Sequence, residues 1–206
     1  MPLPALLVLA LLATNARSAE IRVLFVGNSL TAANDLPAMV KELARADGAP
    51  LLVESIARPG YSLEDHLAEG TAVGRLRADR WDFVVLQQGP SALPESRVEL
   101  IRSATKFAGL ARAEGATPVL FMVWPSRSRL FDFERVSQSY RQAGVAAHAL
   151  IAAAGDAWRA AWKKDPSLQF YGPDGFHPSP TGSQLAAQTI YHAIKEAKTA
   201  IDRRPR

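Results

Sequence analysis

"IRVLFVGNSL", residues 21–30, runs a nearly continuous series of apolar β-formers, interrupted only by Arg22, straight into Gly-Asn-Ser. A strand that does not alternate apolar with polar residues is buried on both faces, as in the interior of a parallel sheet. Four more stretches of this kind follow: LLVESIA (51–57), DFVVLQQ (82–88), TPVLFMVW (117–124) and AAHALIAA (146–153). The last is alanine-rich and fits strand or helix by composition. Helical stretches lie between them at 36–47, 63–79, 93–114 and 131–145, with two more at 155–164 and 180–201. In the final one Leu185, Ala186, Ile190, Ala193, Ile194 and Ala197 make one apolar face. Strands alternating with helices predict a three-layer α/β/α domain around a parallel five-stranded sheet. In such sheets ligands bind beyond the carboxyl ends of the strands, so residues that do chemistry belong just after a strand.

The totals agree with one such domain. The chain has 206 residues, 48% of them hydrophobic and 21% charged, which suits a single sizeable core. There is no cysteine, which excludes disulfides, thiolate zinc sites and cysteine nucleophiles. No histidine pair has a metal-ligand spacing such as HExxH. Net charge is +4, but the basic residues are scattered among acids and form no stripe, so a nucleic-acid partner is not expected. Residues 1–19, MPLPALLVLALLATNARSA, carry an apolar core at Leu6–Ala13 followed by small residues. This is the pattern of a signal peptide, too short for a permanent membrane anchor. It predicts export, with cleavage after Ala16, Ser18 or Ala19 and a mature domain over 20–206.

Two segments carry candidate chemistry. Ser29 follows the first strand by two residues, where a helical turn adds a partial positive charge that favours a developing anion. Alone it reads first as a helix cap or turn former. Near the other end, YGPDGFHPSPTG (171–182) places Asp174 three residues before His177. A carboxylate and an imidazole at that spacing meet in a tight turn, leaving the second ring nitrogen free to act as a base. Pro178 confines the backbone of His177 to extended conformations, and Ser179 or Thr181 caps the helix that follows, with Pro180 early in it. Together the two segments supply a nucleophile, a base and an orienting group, which a serine hydroxyl requires. Oxyanion donors occur where the fold needs them: Gly60 after the second strand, and Gln87, Gln88 or Ser91 after the third. His66, on a helix, His148, in the fifth strand, and His192, on the last helix, read as structural. Trp124 fits a pocket wall or the core, and Trp158 with Trp162, four apart, fits helix packing.

These blocks resemble the SGNH (GDSL-like) hydrolase superfamily. The resemblance rests on Gly27-Asn28-Ser29-Leu30, on Gly60, on the 87–91 region and on Asp174-Gly175-Phe176-His177-Pro178. It implies a flavodoxin-like fold, Ser29, Asp174 and His177 as catalytic residues, and Gly60 as an oxyanion donor. Asn28 stands where many members have Asp. LQQGPSA departs from the family's usual Gly-x-Asn-Asp and is closer to the Gln-Gly-Glu-Ser form of the sialate and acetylxylan esterase branches. On that pattern Gln88 is the third donor, with Gln87 and Ser91 as alternatives. The implied activity is hydrolysis of short acyl esters, acetyl above all, on small molecules or carbohydrates, with no metal or organic cofactor. The alternatives are a catalytically weak binder of acylated glycans on the same fold, and a nucleotide-binding flavodoxin-like protein. Against the latter, the first loop has neither GxGxxG nor a P-loop Gly-Lys-Ser/Thr.

Overall fold

The structure is a computed structural model and describes residues 20–203. The expected signal peptide, residues 1–19, lies outside the described residues. Five strands form one sheet: β1 (Ile21–Gly27), β2 (Leu51–Ala57), β3 (Phe83–Leu86), β4 (Thr117–Met122) and β5 (Leu150–Ala153). All pairings are parallel, in the order β2-β1-β3-β4-β5. β1 is in register with β2 along its whole length, and Val23–Val26 face Phe83–Leu86 on the other side. Val23, Leu24, Phe25 and Val26 are fully buried, as their unbroken apolar run requires.

Helices cover both faces. α1 (Ser29–Ala32), α2 (Leu36–Ala46), α7 (Ala154–Lys164) and α8 (Pro180–Asp202) lie on one side, where α8 packs on α2, α7 and β5. α3 (Leu63–Glu69), α4 (Thr71–Ala78), α5 (Pro94–Ala113) and α6 (Phe133–Ala147) cover the other, with α5 against α6 and both against β4. The chain leaves β1 toward β2 but continues from β3 away from it. The crevice beyond the carboxyl ends of β1 and β3 is therefore the switch point of a flavodoxin-like sheet. No helix of the described residues is long and apolar enough to cross a membrane.

Several expected boundaries move. The stretch 63–79 is two helices, because Gly70 takes a left-handed conformation (φ +87°) between α3 and α4. β3 ends at Leu86, so Gln87 and Gln88 lie beyond the strand. The fifth strand is shorter than 146–153: Ala146 and Ala147, good helix formers, stay in α6. His148 is not in a strand; it is exposed and left-handed at the carboxyl cap of α6. Trp124 does not wall a pocket. It is fully buried and stacks on Trp158 with ring centroids 3.6 Å apart.

Candidate active site

The turn after β1 is built by crowding and hydrogen bonding. A side chain on Gly27 would lie 2.3 Å from Thr31 Oγ1 and 2.6 Å from Gln87 Oε1, so only glycine lets these groups close over the strand end. Gln87 Oε1 accepts from the Asn28 N–H (2.9 Å) and from the Thr31 hydroxyl (2.7 Å). Asn28 caps α1 through Oδ1, which accepts from the Leu30 N–H (3.1 Å), and its amide donates to the Tyr61 carbonyl (2.9 Å). An aspartate at 28 could make the first bond but not the second, because a carboxylate has no donor. The asparagine therefore joins the Ser29 turn to the Gly60 turn. His66, buried on α3, donates from Nε2 to the Gly27 carbonyl (2.8 Å), which also accepts from the Arg58 N–H (3.0 Å). Burial lowers the pKa of His66 and so favours the neutral ring.

The second half of the site comes from the loop before α8. Asp174 Oδ1 accepts from the N–H groups of Phe176 and His177, each at 2.9 Å, closing a tight turn. Oδ2 lies 2.5 Å from His177 Nδ1. Three donors on one carboxylate hold the Asp174 pKa at about 2, the His177 side chain contributing most. An ionised Asp174 can only accept, so the proton sits on Nδ1 and leaves Nε2 with a free lone pair. The loop is fixed from several sides. His177 O accepts from the Gly172 N–H, Phe176 O from Trp124 Nε1, and Gly175 O from the Arg127 N–H. Ser179 rather than Thr181 caps α8, its Oγ accepting from the Gly182 N–H, and Pro180 opens the helix.

The structure brings the two ends of the chain together. His177 Nε2 is 2.9 Å from Ser29 Oγ, across 148 residues of sequence. Neither the Ser29 N–H nor the Gly60 N–H donates to a protein acceptor among the described residues. Gly60 sits in an exposed turn at φ +78°, a conformation that favours glycine. Of the three candidate donors after β3, Gln87 is consumed beneath the Ser29 turn, its amide donating to the Gln88 carbonyl (2.7 Å). Gln88 is held by Tyr140, whose hydroxyl donates to Gln88 O (2.5 Å), and by the Leu63 N–H, which donates to Gln88 Oε1 (3.0 Å). Its amide donates to Ser91 Oγ at 3.3 Å, which leaves one amide hydrogen without an acceptor among the described residues. Ser91, left-handed at φ 55°, turns its own hydroxyl to the Gly89 carbonyl (3.1 Å). The described residues contain no cluster of three or more His, Cys, Asp or Glu that could hold a metal ion.

Among solved structures, the chain matches a protein from Slackia heliotrinireducens, assigned to the SGNH hydrolases, with 32% identity and a TM-score of 0.73. The match covers 85% of this chain and 99% of that one. The chain belongs to the SGNH hydrolase family. Two more distant structures share the fold. One is a lipase/acylhydrolase from Enterococcus faecalis (19% identity, TM-score 0.68, 86% of this chain and 96% of that). The other is an acetyl xylan esterase from Geobacillus stearothermophilus (17%, 0.67, 84% and 94%). No protein-family model matches the sequence, and no curated protein does. His66 is structural in this SGNH hydrolase, as its sequence reading expects, whereas Gln87, an alternative oxyanion donor by sequence, serves instead to build the Ser29 turn. Both lie next to recognisable motifs, but their partners are turn atoms on other strands.

Proposed function

We propose that this SGNH hydrolase is a serine esterase that removes short acyl groups, chiefly acetyl, from carbohydrates or small molecules. The observation that carries this reading is the unbroken chain from Ser29 Oγ to His177 Nε2 (2.9 Å) and from Nδ1 to Asp174 (2.5 Å). In the proposed reaction Ser29 Oγ attacks the ester carbonyl carbon while its proton passes to Nε2. The imidazolium is stabilised by the Asp174 carboxylate. The tetrahedral oxyanion accepts hydrogen bonds from the N–H groups of Ser29 and Gly60 and from the free amide hydrogen of Gln88. His177 then protonates the departing alcohol, and water, deprotonated by the same nitrogen, cleaves the acyl-enzyme to return the hydroxyl to Ser29. The acetyl-carbohydrate assignment draws support from the LQQGPSA block and from the acetyl xylan esterase among the structures sharing this fold.

Fluorophosphonate labelling with peptide mapping tests the assignment, because the probe reacts with an activated serine. Ser29 should be the labelled residue, and acetate should be released from p-nitrophenyl acetate and from acetylated xylo-oligosaccharides. Ser29→Ala and His177→Ala should each remove nearly all turnover, and the double variant should be little worse, since the groups act as one unit. Absence of labelling and turnover in pure folded protein would favour the glycan-binding alternative. We also propose that the protein acts outside the cytoplasm after loss of residues 1–19. Protein purified from the native host should begin near Glu20, and a chain still starting at Met1 in an active preparation would reject this.

A further inference from the structure

Between Ser29 and α2 the chain passes through two consecutive left-handed residues, Asn34 (φ 54°, ψ 24°) and Asp35 (φ 52°, ψ 52°). Non-glycine residues rarely adopt this conformation, Asn and Asp being the most tolerant, and two in succession persist only where the surroundings hold them. Leu36, buried directly after them, anchors one side. On the other side the Asn34 carboxamide spends both its hydrogens. Nδ2 donates to the Pro178 carbonyl (2.9 Å) and to Ser183 Oγ (2.9 Å), the latter on the buried first turn of α8. Pro178 is the residue after His177, and Asn34 is five residues after Ser29.

We infer that Asn34 is a positioning residue that sets the distance between the Ser29 hydroxyl and the His177 imidazole. The inference rests on the proposed serine-esterase reading. Asn34 ties the segment carrying the hydroxyl to the segment carrying the ring, and does so at the end of α2 nearest the site. The far end of the α2–α8 pair is pinned independently, where Asp47 accepts from the Tyr191 hydroxyl (2.7 Å) and pairs with Lys195 (2.5 Å). Helix packing therefore does not depend on Asn34, whereas the register of the two reacting groups does. The local strain has a cause on the same view: the left-handed turn aims the carboxamide at the loop before α8. Asparagine suits this position because it tolerates the backbone and supplies a donor with two hydrogens, which aspartate and glycine lack.

The test uses the rate at which a fluorophosphonate labels Ser29, a readout that needs no knowledge of the natural substrate. Asn34→Gly keeps the left-handed backbone accessible and removes only the carboxamide. Asn34→Asp keeps the shape but turns an acceptor toward the Pro178 carbonyl. A misplacement of about 1 Å can cost roughly 10²-fold in rate. Labelling should therefore slow by about 10- to 100-fold in Asn34→Gly, and at least as much in Asn34→Asp. KM for p-nitrophenyl acetate should stay within about twofold, and far-UV circular dichroism should be unchanged. Ser183→Ala, which removes one of the two acceptors, should slow labelling by a few-fold. It should add little to Asn34→Gly, because both act through one carboxamide. Wild-type labelling rates in folded Asn34→Gly, or multiplicative losses in the double variant, would overturn the inference. Should Asn34→Gly not fold, an undiminished rate in Ser183→Ala together with Asn34→Asp would do the same. Labelling of a serine other than Ser29 in the unaltered protein would instead overturn the underlying reading.

Discussion

At Asp174 one side chain both shapes a loop and sets the state of a base. Its carboxyl, ordinarily titrating near 3.8, is held at about 2 by the His177 ring and by the Phe176 and His177 N–H groups. A depressed carboxyl stabilises the fold above its unfolded value, and that contribution is lost as pH falls from about 4 through about 2. Loss of activity between pH 7 and 4 must therefore come from another group. In Asp174→Asn the amide would face Nδ1 with a donor and drive the ring proton to Nε2, where it blocks acceptance from Ser29. Turnover should fall by up to about 10⁴-fold. The urea midpoint should be lower than wild type at neutral pH, and the gap should close below about pH 4, where the wild type loses the same contribution. Full activity in Asp174→Asn would sink this role. The Asp-x-x-His spacing was legible because both partners sit in one turn. Choosing between Gln87 and Gln88 was not, since successive residues leaving a strand face opposite ways and only the packing decides which turns inward. Asn34 carried no signal, because its acceptors lie 144 and 149 residues away.

At the scale of elements, α3 acts as a clamp on the end of β1. Gly70 ends that helix after two turns, and a single periodic stretch on paper hides this break. His66 reaches from α3 to the Gly27 carbonyl and is buried, its Nδ1 finding no partner among the described residues. Its structural character was legible from its place on a helix, but its target was not. Burial lowers its pKa, so near and below its unfolded value of about 6.5 the unfolded chain binds a proton that the folded one excludes. The resulting stability is complete above that value and declines as pH falls below it. His66→Gln keeps an N–H donor for Gly27 O but does not titrate. Urea denaturation at pH 5, 6, 7 and 8 should show the wild-type advantage over His66→Gln narrowing steadily toward acid. Parallel pH curves for the two proteins would exclude a neutral buried His66 as the source.

For the molecule as a whole, the site exists only because opposite ends of the chain dock on one sheet edge. The strands and their parallel direction follow from apolar runs and alternation, so the sheet was legible, though not its strand order; the docking depends on an aromatic cluster whose members are far apart in sequence. Trp158 lies at its centre, stacked on Trp124 from the end of β4 and on Phe170, with Tyr171 edge-on. Its Nε1 donates to the Gly182 carbonyl on α8 (3.2 Å), and a Cβ on Gly182 would come 2.6 Å from the indole. Removing a buried aromatic of this size costs about 3–5 kcal/mol. With a urea slope of about 2 kcal/mol/M, Trp158→Ala should lower the unfolding midpoint by roughly 1.5–2.5 M. Because the same cluster supports the His177 loop and the β4–α7–α8 packing, site and sheet should unfold together. Loss of Ser29 labelling and loss of far-UV circular dichroism should then share one midpoint, in the wild type and in Trp158→Ala alike. Labelling that disappears at markedly lower urea than the sheet signal would mean that the loop before α8 opens on its own, and that the cluster does not couple the two.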